Sequence, residues 1–168
     1  VVEGIGADAT GLASLLHGYD GCGTALAGLG DANADGVVDI AVGAETADNR
    51  PQGGSIGGGA IYLLALDDTG GVGEVQRIPD AGSSGLPPDA LEAHGRFGSS
   101  IATIGDVDGD GTSEIAVGAR GDTTNGNSAG AIYILFMYPD TSALPTVLHY
   151  VKIPSLGGAS GEFGASIA

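Results

Sequence analysis

Short apolar runs, bounded by clusters of Gly, Asp, Asn and Pro, recur along the chain. Runs of this kind, rich in β-branched and aromatic residues, are typical of β-strands. The clearest four lie at residues 97–104, 114–118, 131–137 and 147–153. Apolar residues at helical spacing occur only over residues 12–16, which fall in a loop position. The pattern therefore predicts an all-β protein.

The chain also repeats itself. Residues 22–44 align without a gap on residues 97–119, with 11 identical positions. The match continues between residues 59–64 and 130–135, and residues 163–168 resemble the start of the second copy. Four-stranded units in tandem are typical of β-propellers, whereas the coils of a β-solenoid, the alternative, are usually shorter. We therefore predict two four-stranded antiparallel β-propeller-type blades with partial flanking repeats.

The repeat boundaries predict four segments. Residues 1–21 end a preceding repeat, 22–96 and 97–162 are two repeats with their following loops, and 163–168 begin a third repeat. Residues 1–5 stand where the fourth strand of a preceding blade would be. Only two blades are complete, whereas propellers close with four to eight. We therefore expect neighbouring repeats, or copies of this chain packed head to tail, as partners.

An acidic loop separates the first and second strands of each repeat. Oxygen-bearing side chains occupy loop positions 1, 3, 5 and 9, and a glycine at position 6 permits a bend that turns the carbonyl of position 7 inward. Calcium takes six to eight oxygen ligands, so we predict about two Ca²⁺ ions. The candidate ligands are Asp31, Asn33, Asp35, Val37 and Asp39 in the first acidic loop (residues 31–39) and Asp106, Asp108, Asp110, Thr112 and Glu114 in the second acidic loop (residues 106–114).

Two alternatives compete with this calcium hypothesis. An EF-hand places a bidentate Glu at position 12, but that position is Val42 or Val117, each in an apolar strand. The other alternative is a metal-free turn held by Asp and Asn hydrogen bonds. Because carboxylates packed together without a cation repel one another, and because the pattern occurs twice in register, calcium is favoured.

Together these features resemble the FG-GAP repeat, the blade of the integrin α-subunit β-propeller. Cys22 replaces the Phe of that repeat, and Glu45 and Arg120 stand where it often has Pro. The resemblance implies calcium-stiffened blades of an extracellular or cell-surface protein, commonly one that acts in adhesion. The residues that carry it are Phe97-Gly98 with Gly118-Ala119, Cys22-Gly23 with Gly43-Ala44, and Phe163-Gly164.

The charge of the chain restricts its partners. The 168 residues include 5 basic and 21 acidic ones, which gives a formal net charge of −16. Binding to nucleic acid or to an anionic membrane depends on Lys and Arg, so neither partner is expected. The longest apolar run, residues 131–138, is too short to span a bilayer, so no membrane insertion is expected.

Candidate catalytic residues are few. The three histidines have no metal-ligand spacing; they are His17, His94 and His149. Cys22 aligns with Phe97, and we expect it to be a small buried apolar residue rather than a nucleophile. Tyr62 and Tyr133, at matching positions, are expected to pack with their hydroxyls in water.

The sequence therefore predicts a non-catalytic, calcium-binding repeat module. It would act in adhesion or as a structural, filament-forming surface component, with a protein or a glycan as its ligand. The alternative is a propeller accessory domain of a secreted hydrolase.

Overall fold

The computed structural model of the chain describes residues 19–48, 57–80, 85–140, 143–156 and 161–168. Residues 1–5, residues 12–16 and His17 lie outside these described residues. In the described parts, the one 3₁₀ helix, Pro88–Ala90, is far from the length that would cross a bilayer. The strands are β1 Cys22–Gly30, β2 Asp39–Ala44, β3 Ala60–Leu66, β4 Val72–Ile78, β5 Phe97–Gly105, β6 Glu114–Ala119, β7 Ala131–Tyr138 and β8 Thr146–Pro154.

Each repeat folds into one antiparallel sheet. The strands pair in sequence order, as β1-β2-β3-β4 in blade 1 and β5-β6-β7-β8 in blade 2. The registers agree, because Ala41 pairs with Leu63 in blade 1 and Ala116 pairs with Ile134 at the equivalent place in blade 2. The predicted all-β fold with two four-stranded antiparallel blades is confirmed.

The main hydrophobic core lies between the two blades. Along β7 buried side chains alternate with half-buried ones, as expected for a strand whose two faces differ. Phe97 is fully buried, and its ring meets Tyr133 edge-on with 5.3 Å between ring centroids. Side chains of both sheets join one cluster, which includes Ile61, Leu63 and Ala65 of blade 1 and Tyr133, Leu135 and Met137 of blade 2.

Glycines allow the backbones of the two blades to approach closely. Gly59 forms a parallel bridge with Phe97, at the first residue of β5. A Cβ atom placed on Gly43, in β2, would overlap the carbonyl oxygen of Gly98. The Gly-Ala of blade 1 and the Phe-Gly of blade 2 are therefore the two sides of one backbone contact.

The same contact recurs at the far side of blade 2. Gly130 forms a parallel bridge with Phe163, and a Cβ atom on Gly118 would overlap the carbonyl oxygen of Gly164. Residues 161–168 thus dock on blade 2 in the way that β5 docks on blade 1.

An ion pair also links the blades. Arg120 Nε donates to Glu45 Oε2 at 2.8 Å, and its Nη2 donates to Glu45 Oε1 at 2.9 Å. Arg96 lies 3.4 Å from the same carboxylate. The hydrogen bonds from Arg120 outweigh partial burial and lower the pKa of Glu45. Glu45 and Arg120, two of the three positions that depart from the common FG-GAP pattern, therefore stabilise the contact between neighbouring blades.

The prediction that Cys22 is buried is wrong. The side chain of Cys22 is exposed, whereas that of the aligned Phe97 is fully buried. The reason is the position of the strands. Phe97 begins β5, which packs on blade 1, while Cys22 begins β1, whose described residues are exposed or half-buried.

Candidate metal centre

The two acidic loops occupy equivalent places in the blades. The first acidic loop joins β1 to β2, and the pairing of Gly30 with Asp39 closes it. The second acidic loop joins β5 to β6 and is closed by the pairing of Gly105 with Glu114. Asp39 and Glu114 are buried at the start of an inner strand, whereas the other acidic side chains of the loops are exposed. Folding of each sheet therefore brings the last candidate ligand next to its loop.

The first aspartate of each loop organises the loop backbone. The Asp31 carboxylate accepts hydrogen bonds from the N–H groups four and five residues later, at 2.9 and 3.0 Å. The Asp106 carboxylate accepts the equivalent bonds at 3.1 and 2.9 Å. Gly36 and Gly111 have φ angles of 91° and 97°, in the left-handed region that favours glycine. These are the bends expected at loop position 6.

Three carboxylates come together in the second acidic loop. One oxygen from each of Asp106, Asp108 and Glu114 lies within 4.8 Å of the other two. Among the described residues, no other three His, Cys, Asp or Glu side chains converge in this way. Glu114 is fully buried; its Oε2 accepts the N–H of Val107 at 2.7 Å, whereas its Oε1 has no hydrogen-bond partner.

The unpaired Oε1 of Glu114 fits a cation site. A buried polar atom without a partner destabilises a protein by about 1–3 kcal/mol, and by more when it is charged. Carboxylates that lie close together also repel one another. A calcium ion would be a positive partner for all three groups, and carboxylate oxygens are ligands that it prefers. The residues present in the second acidic loop therefore suit the predicted ion.

In the first acidic loop, by contrast, hydrogen bonds within the protein satisfy the carboxylates. The buried carboxylate of Asp39 accepts two backbone N–H bonds, from Ala32 at 2.8 Å and from Leu66 at 3.0 Å. Asn33 donates its side-chain amide to Asp35 Oδ2 at 3.0 Å. Contacts of this kind are those that the metal-free alternative predicts.

The candidate ligands at loop positions 5 and 7 make the same hydrogen bond in both acidic loops. Asp35 Oδ1 accepts the N–H of Val37 at 2.8 Å, and Asp110 Oδ1 accepts the N–H of Thr112 at the same distance. These bonds fix the backbone at loop position 7, whose carbonyl is the predicted ligand. Asp110 itself lies outside the three oxygens that converge.

A cavity of about 360 Å³ separates the two acidic loops at the blade interface. Asp31 lines it from the first acidic loop, and Thr112 lines it from the second. Apolar side chains, including Leu29, Ile115 and Met137, form other parts of its wall. The two candidate sites thus share one end of the molecule.

A second polar cluster joins residues 85–96 to blade 2, and no local motif in the sequence indicates it. Asp122 is buried, pairs with Lys152 Nζ at 2.7 Å, and accepts a hydrogen bond from the Tyr133 hydroxyl at 3.2 Å. Lys152 also lies 3.5 Å from Glu92. Burial, together with the Asp122 carboxylate, raises the pKa of Tyr133. The expectation that the hydroxyl of Tyr133 lies in water is therefore wrong, because residues distant in sequence enclose it.

Glu92 is expected to make part of the stability depend on pH. Burial raises its pKa, but hydrogen bonds from Thr123 and Thr124 and the charge of Lys152 outweigh burial and bring the pKa to about 2, from an ordinary 4.5. A lowered folded-state pKa stabilises the fold above pH 4.5, and this contribution is lost as the pH falls towards about 2. The difference in melting temperature between wild type and Glu92→Gln should shrink over that range. A constant difference would contradict this assignment.

The two described histidines are surface residues. His94 and His149 are both exposed, and the ring of His149 stacks on Phe136 with 4.3 Å between centroids. Neither histidine belongs to the group of converging side chains found among the described residues, which is Asp106, Asp108 and Glu114.

Comparison with known proteins agrees with this architecture. Residues 97–135 match the family model described as FG-GAP repeat. The chain is 33% identical over 125 residues to integrin alpha-PS5 of Drosophila melanogaster, an alignment that covers 74% of this chain and 11% of the relative. It is 36% identical over 90 residues to integrin alpha-5 of Xenopus laevis, which covers 53% of this chain and 8% of the relative.

The chain thus spans about a tenth of the length of these relatives. The family match includes β5, the whole second acidic loop and β6. Together with the two four-stranded blades, these similarities support an FG-GAP, integrin-like repeat unit with a β-propeller-type fold.

Proposed function

We propose that this chain is a non-catalytic, calcium-binding repeat module that acts in adhesion or as a structural, filament-forming component of a surface. The integrin relatives support the adhesion-related part. The observation that carries the calcium part is the buried, unpaired Oε1 of Glu114 beside two further carboxylates.

In the second acidic loop, Asp106, Asp108 and Glu114 would be the central ligands. Asp110 and the carbonyl of Thr112 would complete the set, and the equivalent residues of the first acidic loop would form a second site. All of these donors are oxygens, which suits calcium; magnesium demands stricter octahedral geometry and gives up its waters reluctantly. A bound calcium ion supplies positive charge at the start of β6. The loop residues hold that charge against the sheet and so fix the β5–β6 connection.

Neighbouring repeats are the partners that this arrangement supports best. We assign residues 22–96 and 97–162 to two repeats, residues 1–21 to the end of a preceding one, and residues 163–168 to the start of a third. The bridge between Gly130 and Phe163 supports this division, because it reproduces the contact between the two blades. Copies of the chain that pack head to tail would use the same contact.

The proposed setting is extracellular or at the cell surface. Calcium sites of extracellular modules have dissociation constants of about 10⁻⁴–10⁻³ M, which suits exposed loops of this kind. The net charge of −16 opposes binding to nucleic acid. The ligand of the module would be a protein or a glycan.

Titration calorimetry with calcium tests this function. Wild type is expected to bind calcium with a dissociation constant in the range of about 10⁻⁴–10⁻³ M. Asp108→Ala removes one of the three converging carboxylates and should weaken binding in the second acidic loop at least tenfold. Asp89→Ala removes an equal charge from an exposed position in the 3₁₀ helix and should change little. Equal losses in the two variants would show that bulk charge, and no defined site, attracts the ion.

A further inference from the structure

We infer that the two acidic loops respond to calcium unequally: the second acidic loop binds first and needs the ion, whereas the first acidic loop is largely held by its own hydrogen bonds. This inference rests on the proposed function. It adds the order in which the two acidic loops bind calcium, which the repeated motif alone does not give.

The first acidic loop satisfies its carboxylates internally. Both oxygens of Asp31 accept backbone N–H bonds within the loop. Both oxygens of Asp39 also accept backbone N–H bonds, one from Ala32 in the loop and the other from Leu66 in β3. Asp35 accepts the N–H of Val37 on one oxygen and the amide of Asn33 on the other. A cation would therefore compete with hydrogen bonds that already exist.

The second acidic loop leaves acceptors unused. Glu114 Oε1 is buried and unpaired. Asp108 and Asp110 each accept a backbone N–H on Oδ1, and both side chains are exposed. Asp106 resembles Asp31, because both of its oxygens accept backbone N–H bonds. The two loops therefore differ at the other positions, where a cation gains Glu114 Oε1 and the second oxygens of Asp108 and Asp110 without displacing hydrogen bonds from them.

Two substitutions between the repeats explain the difference. Asp39 is one methylene group shorter than Glu114, and it bonds the N–H of Leu66 while Glu114 Oε1 bonds nothing. Asn33 replaces the acid found at Asp108, so the first acidic loop has three carboxylates and the second has four. A cluster with more negative charge repels itself more strongly without a cation and binds calcium more tightly.

The consequence is that the two blades respond to calcium one after the other. As the concentration of calcium rises, the end of blade 2 next to β6 would become ordered first. The equivalent end of blade 1 would change little over the same range. A module of this kind would change its stability mainly through one of its two blades.

A calcium titration followed by NMR tests the order of filling. The amide signals of Gly36 and Gly111 report the two loops separately, because each glycine lies at the same bend of its loop. The signal of Gly111 is expected to move with a midpoint at a calcium concentration at least tenfold below that for Gly36. Equal midpoints, or the reverse order, would overturn the inference.

The variant Asn33→Asp provides a matched check. It gives the first acidic loop the acid that the second has at Asp108, and it should lower the midpoint for Gly36 while leaving that for Gly111 unchanged. If Asn33→Asp leaves the midpoint for Gly36 where it is, charge number does not set the order and the inference fails. If no signal in either loop responds to calcium, the proposed function itself fails.

Discussion

Gly43→Ala is expected to destabilise the protein by about 3 kcal/mol, the upper end of the usual range for overpacking. The new Cβ would overlap the carbonyl oxygen of Gly98 and would lie 3.1 Å from the Cβ of Ala25. The first of these atoms belongs to the backbone, so a side-chain rotation does not relieve the clash. Blade 2 has to move away from blade 1, which opens the core between Phe97 and β3. For a chain of this size the melting temperature should fall by about 6–12 °C.

Gly28→Ala is the matched control. Gly28 lies in β1, has an ordinary φ, and has nothing within 4 Å of the position its Cβ would take. Its replacement should change the free energy of unfolding by no more than about 0.5 kcal/mol. Equal losses of stability at Gly43 and Gly28 would show that the contact between the blades does not set the cost of a side chain at Gly43.

Glu114→Gln is expected to have opposite effects with and without calcium. In chelator the variant removes an unpaired buried charge, so its melting temperature should exceed that of wild type. In calcium the variant loses a ligand. Wild type should gain about 1.4 kcal/mol at a concentration tenfold above the dissociation constant, whereas the variant should gain almost nothing. The two melting temperatures should therefore change order between the two buffers.

Asp39→Asn distinguishes a cation ligand from a structural carboxylate. Both oxygens of Asp39 accept backbone N–H groups. The side-chain NH₂ of an asparagine at this position would therefore face one of these N–H donors. We expect a loss of about 1–3 kcal/mol in both buffers. If Asp39→Asn behaved like Glu114→Gln, the two loops would be equivalent. If neither variant altered the response to calcium, the assignment of ligands would be wrong.

Much of the fold follows from the sequence because its signals are local. The strand boundaries follow from apolar runs such as residues 131–137, which the structure extends by one residue to Tyr138. The repeat predicts the pairing of the strands, since a gapless alignment of the acidic loops requires equivalent strand pairs on both sides. The close approach at Gly43 and Gly98 also agrees with the shared Phe-Gly and Gly-Ala pairs.

Other features depend on contacts that spacing does not encode. Cys22 aligns with Phe97 but is exposed, because burial at this position comes from the neighbouring blade. The hydroxyl of Tyr133 is enclosed by residues up to 43 positions away, such as Ala90. The two acidic loops have the same oxygen pattern. Whether a buried acid finds the N–H of Leu66 depends on one methylene group, and only the folded sheet shows this difference.

The most direct test of the calcium assignment is a crystal structure of this chain grown in millimolar calcium, with the ion identified by its anomalous signal. We expect an ion in the second acidic loop, at about 2.3–2.6 Å from oxygens of Asp106, Asp108 and Glu114. Oε1 of Glu114 should be among its ligands. A second acidic loop that holds only water in such crystals, with Glu114 Oε1 hydrogen-bonded to that water, would contradict the proposal.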